Sequence, residues 1–424
     1  MKNYTKRITM ILSILLLFLC GFHIESKVVS GKQKSYTVTP NTKLKVTETY
    51  YKTVKKGKKK KRKKMTRKKK EYKNYNKYTR QSFVLQDRLK KLEKSKGGTL
   101  TLKRGTYKIT QTLAVPSNVK IVLKNGAVIK KSTKTGTKKL KAQGSIFQLI
   151  KPSKHGKKGV YGKYSGMKNI SFVGQGTAVI DLSYIYSADG IVAGHNKNVS
   201  IENITFRNMR EGHFIELDAN YNTKIKNCKF LNSTGNLVKE AINIDTPDKK
   251  TKGWLHAWSK FDKTPNKNVT ISNCYFANLG HAVGTHKYSY GYPHTNIRIQ
   301  NNTMVNIKQE AIRMMNWKSP YISNNKIQGT GSYAVRGILG KGVSNPTIRY
   351  NQISGFSAQL IQNYPIFIRD GINNGSGSEY PTVYSYLSEQ NIKDILTNKV
   401  NGSMKKTVRL DLGREKTRRY LTLN

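Results

Sequence analysis

The chain has 424 residues, with 79 Lys and Arg against 22 Asp and Glu, a formal charge of +57. That imbalance excludes an ordinary charge-balanced cytosolic enzyme, while 36% hydrophobic residues, 34 Gly and 25 Tyr exclude disorder throughout. A polycation of this size calls for a polyanion: nucleic acid, an anionic membrane, a cell-wall polymer or an acidic polysaccharide.

Residues 1–26 predict a secretory signal peptide with no assigned cleavage site. Lys2, Lys6 and Arg7 precede the apolar run ITMILSILLLFLCGF at 8–22, which is too short for a stable membrane span. The expected location is secreted or extracellular, with association to the cell wall open, and export argues against a nucleic-acid partner. Removing the leader leaves Cys228 and Cys274, too few for a disulfide framework. Residues 27–80 carry 22 basic and 2 acidic residues, densest in KKGKKKKRKKMTRKKK at 55–70. Like charges without apolar periodicity cannot bury surface, so this stretch is expected as a solvated polybasic linker, or at most an exposed hairpin about Gly57. Its expected partner is an anionic cell-wall polymer.

From 198 onward the chain repeats itself. NVSIENITF (198–206), NTKIKNCKF (222–230), NVTISNCYF (268–276) and NIRIQNNTM (296–304) share one template, and weaker copies end at Ile327 and Ile353. Their closing residues are spaced by 24, 46, 28, 23 and 26, one solenoid coil each with a large insertion in one. Short strands of Ile, Val, Phe and Thr broken by Asn and Gly, without a helix, predict an all-β, single-stranded parallel β-helix in which turn asparagines ladder between coils. Cys228 and Cys274 share a template position, either as stacked small residues or as a disulfide.

The segment LQDRLKKLEKSKGG, then TLTLKRGTYKIT and LAVPSNVKIVLKNGAVI, all within 85–130, resembles the start of pectin-lyase-like right-handed β-helix proteins, where a helix caps the open end. NISFVGQGTAVID (169–181) is similar to the next coil of polygalacturonases and their relatives. The resemblance covers about 85–360. It implies a capped right-handed parallel β-helix over 81–360; beyond it, C-terminal coils and a cap are expected over 361–424, with a closing helix near Tyr386–Leu396, and the protein is expected to be a monomer.

A second strand follows each template: HFIELD (213–218), EAINID (240–245), HAVGTH (281–286), EAIRMM (310–315) and YAVRGI (333–338). Strict alternation turns Ile215, Ile242, Val283 and Ile312 inward. It sets two outward columns, Glu216/Asn243/Gly284/Arg313/Arg336 and Asp218/Asp245/His286/Met315/Ile338. Coils lie about 4.8 Å apart, so Asp218, Asp245 and His286 are expected as neighbours on one exposed face. Nine of the 22 acidic residues fall between Asp189 and Asp262. Such crowding suits a shared proton, metal or substrate, and equally suits turn residues paired with lysines.

Two chemistries fit. Glycoside hydrolysis needs an acid and a second carboxylate, here Asp218 and Asp245, with Asp248 as a more distant third and His286 tuning their protons. The resemblance to polygalacturonases implies the same order, Asp218, Asp245, His286, Arg313, although IELD, NIDTPD, GTH and IRM depart from the family's segments. This reading needs no cofactor. β-Elimination, implied by pectate-lyase relatives, would use Ca²⁺ on Glu216, Asp218 and Asp245, with Arg313 or Arg336 as base. Substrate contacts are expected from Glu216, Asn243 and Arg336, and from Trp254 and Trp258 of the insertion, which would wall a groove. Tyr288 and Tyr290 fit substrate contact and solenoid packing equally. A zinc set of His281, His286 and His294 is argued against by the odd spacing of the first two. The function expected is cleavage of an extracellular, possibly acidic, polysaccharide, by hydrolysis ahead of elimination. A non-catalytic surface β-helix that binds glycan or wall polymer is the rival.

Overall fold

The computed structural model describes residues 34–423 apart from 57–58, 236–238, 332–335, 357–363, 372–380, 403 and 414–416. The expected signal peptide lies outside the described residues. No helix among the described residues is long and apolar enough to cross a membrane.

Each repeat folds as one coil of three short strands. NVSIE contributes to a first sheet (Lys197–Glu202), ITF to a second (Thr205–Arg210) and IELD to a third (Ile215–Asp218). Stacking pairs every strand with its counterpart one coil away, so the first sheet runs from Ser35–Val38 to Thr347–Arg349. The closing residues of the templates pair as the spacing predicts. Phe206 lies opposite Phe230, then Phe276, Met304, Ile327 and Ile353. Inside the tube Phe206, Phe230 and Phe276 stack at 5.1 and 4.8 Å. Cys228 and Cys274 are buried free thiols, the packing alternative of the two.

Asparagine holds the corners because its short amide tolerates the left-handed backbone that a tight turn needs. Asn198, Asn222, Asn268 and Asn296 all have φ between +53° and +60°. Their side chains ladder along the surface, with Asn222 Nδ2 donating to Asn198 Oδ1 at 2.8 Å and Asn296 to Asn268 at 2.8 Å. A second ladder is fully buried: Asn302, Asn325, Asn351 and Asn398 each bond the next coil. Replacing Asn296 by Gly is expected to leave the unfolding midpoint within about 0.5 kcal/mol of wild type, because Gly accepts the same φ at an exposed site.

The helix forms at Arg80–Lys94 and buries Val84, Leu85, Leu89 and Leu92 against the first coil, closing the tube's N-terminal end. At the other end Glu389–Leu396 is capped by Ser388, which accepts from the Asn391 N–H while the Asn391 side chain accepts from Ser388. Thr407–Leu412 adds to the third sheet parallel to Tyr364–Arg369, and Thr417–Thr422 folds back antiparallel on it.

The stretch expected as a linker is ordered in two parts. Ser35–Val38 is the edge strand of the first sheet, because Tyr36 and Val38 supply the alternation of its neighbour Gly98–Leu102. Thr47–Lys56 and Lys59–Lys68 form the hairpin alternative, a ribbon of ten paired positions. Lys59–Lys68 carries eight Lys and Arg and faces solvent.

Candidate functional site

The third sheet carries the site. Its strands do not alternate strictly. Ala241 and Ile242, like Ala282 and Val283, both point into the core, and the N–H groups of Ala282 and Val283 share the Ala311 carbonyl at 3.1 Å each. Two consecutive inward residues throw the preceding one outward. Asp189, His213, Glu240, His281, Glu310 and Arg336 therefore form a further outward column, since Glu240 pairs with His281 and Ile215, Ile242, Val283, Ile312 and Ile338 lie in register.

Glu240 is the hub. Its carboxylate meets the Arg313 guanidinium and sits 3.2 Å from His286 Nδ1. The His213 ring stacks on His286 at 5.7 Å, and its Nδ1–H donates to the Glu240 carbonyl at 2.7 Å. Burial raises the Glu240 pKa, but Arg313 and then His286 outweigh it and hold the group well below the usual carboxylate range. Burial lowers the His286 pKa, and Asp245 and Glu240 overcome this to raise it. Glu310 repeats the pattern with Arg336 at 2.7 Å.

Asp218 and Asp245 do lie in register on adjacent coils, and the Asp245 carboxylate accepts the N–H groups of His286 and Lys287 at 3.1 and 3.2 Å. The exposed face expected for them is a correction: both are 0% exposed. The insertion after Asp245 covers them. Trp254 seats on Gly194, the register partner of Asp218, and Gly253 lies against Lys287 one coil beyond Asp245. Burial, then Glu216, Asp245 and Asp189, push the Asp218 pKa well up. Neither of its carboxylate oxygens has a hydrogen-bond partner. Burial drives Asp245 up to about 6 against the pull of His286.

Other expected roles move as well. Trp254 and Trp258 are 1% and 3% exposed and pack edge to face at 4.7 Å, so they anchor the insertion, and Trp254 also lines the cleft that opens to solvent. His195 fixes the same loop, accepting from Ser259 Oγ at 2.7 Å and donating to the Lys163 carbonyl at 2.7 Å. Tyr288 is buried and donates to the Gly371 carbonyl, whereas Tyr290 is exposed. Asp248 accepts from the Lys250 N–H of its own loop and from Ser289 Oγ, which lies beyond the next coil's third-sheet strand. Asn243 is buried. Arg336 stands beside Glu310, and the neighbour of Arg313 in its column is Leu339, while Lys341 takes the place expected for Ile338. The slip arises because the fifth strand is RGILGK, with Ile338 opposite Ile312. Both arginines expected as elimination bases thus lie against glutamates. His281 and His286 share the outward face because of the inward pair, against the parity expected of them. His294 instead extends a buried asparagine ladder, accepting from the Asn266 N–H at 2.9 Å, and burial lowers its pKa to about 3.

What opens to solvent is a cleft of about 350 Å³ lined in part by Asp189, His213, Glu216, Lys239, His256 and His286. His256, from the insertion, places Nε2 3.5 Å from Glu216. The Glu216 carboxylate is held low because His256 outweighs burial, and Asp189 is raised to about 7 by burial and Glu216. Sequence reasoning missed Asp189, His213 and Glu240. The repeated pairs Phe-Ile, Ala-Ile, Ala-Val and Ala-Ile at 214, 241, 282 and 311 were the available signal. A Cβ at Gly194 would lie 1.9 Å from Trp254 Cη2. Gly194→Ala is therefore expected to expel the indole, red-shifting tryptophan emission and opening the insertion to protease while the solenoid's far-UV circular dichroism persists.

Residues 163–327 match the family model for the right handed beta helix region. Plasmin and fibronectin-binding protein A of Streptococcus pneumoniae (strain ATCC BAA-255 / R6) is 29% identical over 167 residues, 36% of this chain, and the match spans 23% of that relative's length. The solved Streptococcus pneumoniae surface protein and adhesin PfbA superposes with a TM-score of 0.60 at 20% identity, covering 78% of this chain and 84% of that one. The A-module of the Azotobacter vinelandii mannuronan C-5 epimerase AlgE6 gives 0.50 at 14% identity, covering 77% and 85%. With three stacked parallel sheets, a recurring template and these matches, the chain folds as a right-handed parallel β-helix.

Proposed function

We propose that this is an exported, wall-associated β-helix protein that binds an anionic extracellular polymer without cleaving it. One observation carries the reading: the Lys59–Lys68 ribbon sets eight cationic side chains on an exposed strand of a hairpin. A cationic array of that density attracts a polyanion from a distance set by the ionic strength. Burial of Asp218 and Asp245 under the insertion also removes the pair best placed for hydrolysis, and the resemblance to a streptococcal surface adhesin supports the same reading. The test is sedimentation or titration calorimetry of the full chain with polygalacturonate and with a glycerol-phosphate polymer. Binding is expected to weaken as salt rises and to collapse when the Lys and Arg of 59–68 are replaced by Gln. Binding unchanged by that replacement would remove the reading.

Polysaccharide cleavage is the second reading, favoured by the carboxylates and imidazoles that three coils bring to the cleft. A panel of acidic and neutral polysaccharides with product analysis decides it. New reducing ends, lost in Glu240→Gln with the fold retained, would install a hydrolase, and an ultraviolet-absorbing product would install a lyase.

A further inference from the structure

Several acids that project from these coils meet a guanidinium: Asp181 has Arg207, Glu240 has Arg313, Glu310 has Arg336 and Asp411 has Arg409. Asp189 and Glu216 face the same cleft from adjacent coils, and among the described residues neither has a Lys or Arg nitrogen within 4.0 Å. This occurs in a chain with 79 basic side chains to draw on. The third group present is an imidazole delivered by the insertion.

We propose that Asp189, Glu216 and His256 bind a first-row divalent metal ion of the zinc type at the cleft. One ligand atom from each lies within 4.8 Å of the others, so small side-chain adjustments bring all three to one ion. The three come from separate pieces of chain: the corner before Ile191–Gly194, the strand Ile215–Asp218, and the loop that Trp254 and Trp258 pin down. Two of the three are supported from behind: the His213 N–H donates to Asp189 Oδ1 at 3.0 Å, and Gln148 Nε2 lies 3.4 Å from His256 Nδ1, a placement that an amide flip would reverse. With the amide oxygen turned to the ring, Gln148 accepts the Nδ1 proton and frees the Nε2 lone pair, the usual outer-shell device at metal-binding histidines. Three protein ligands beside open solvent leave coordination positions for water or a ligand oxygen. One imidazole and two carboxylates suit zinc or manganese better than Ca²⁺, which takes six to eight oxygens.

The neighbouring trio His213, Glu240 and His286 also lies within 4.8 Å but is otherwise engaged. The Glu240 carboxylate meets Arg313, and His213 Nδ1–H is committed to the Glu240 carbonyl. The inference holds for either functional reading, because it concerns ion binding alone.

Zn²⁺ alone is the probe, titrated calorimetrically into chelator-stripped full-length protein, with metal content measured after dialysis. One Zn²⁺ per chain is expected for wild type and for His286→Gln, with the isotherm abolished in His256→Gln and in Glu216→Gln. Zinc K-edge absorption of the wild type, which needs no variant to fold, should report a nitrogen and oxygen shell with a single imidazole. Absence of uptake by the folded wild type, full binding by the His256→Gln/Glu216→Gln double variant, loss in His286→Gln, or a two-imidazole spectrum would each overturn the site.

Discussion

Replacing Glu240 by Gln is expected to cost about 3–5 kcal/mol of stability at pH 7, the penalty for leaving a buried partner charge uncompensated. The side chain is fully buried, and losing its charge removes the strongest counter-charge of the Arg313 guanidinium and one of the two that hold the His286 pKa up. Denaturant unfolding followed by far-UV circular dichroism measures it. Adding Arg313→Met to Glu240→Gln should recover most of the loss, because an apolar chain of similar length removes the stranded charge. A double variant as unstable as the single would mean that Glu240 acts through some other contact. The pH dependence has a definite sign. The Glu240 pKa is depressed in the fold, so its contribution is present above the unfolded value near 4.5 and is lost as pH falls through the folded value. The gap between wild type and Glu240→Gln should therefore narrow on acidification below pH 4.5, and a gap that widens there would contradict the arrangement described.

The second large effect is expected at Asn325, in the buried ladder. Its Oδ1 accepts both the N–H and the Nδ2 of Asn302 at 3.0 Å, and its Nδ2 donates to the Ile299 carbonyl at 2.9 Å and to Asn351 Oδ1 at 2.8 Å. Truncation to Ala removes these partners from Asn302 and the Ile299 carbonyl on the preceding coil and one donor from Asn351 on the following coil, where water does not reach. At about 1–3 kcal/mol for each buried group left unpaired, Asn325→Ala should cost about 3–5 kcal/mol in the same assay. A loss as small as that of the exposed Asn296→Gly would mean that water or a shifted neighbour replaces the missing amide.

Much of the architecture was legible in the residues because a solenoid repeats its reasons. The template residues Phe206, Phe230, Phe276, Met304, Ile327 and Ile353 state the coil register directly, and the structure pairs them in that order. The neighbourhood of Asp218 and Asp245 was legible for the same cause. Exposure was not, since coverage depends on where the 246–265 insertion comes to rest, and no pattern in the sequence ties Trp254 to Gly194. Strict alternation also misplaced His213, Glu240 and His281. One extra inward residue shifts everything before it to the opposite face; that residue is Ala241 or Ala282 before Ile242 and Val283 and Phe214 before Ile215, so the mark it leaves is a doubled apolar pair and not a break in the alternation. Arg336 was assigned to the wrong column by a local alignment of YAVRGI that ignored the lengthened strand RGILGK.

Both ends of the tube are stoppered, by the Arg80–Lys94 helix at one and by the Glu389–Leu396 helix with the folded-back C-terminal strand at the other. A lineage could therefore lengthen this rod only from within, by copying whole turns between the stoppers. Each duplicated turn would add about 4.8 Å of reach while leaving both closures as they are.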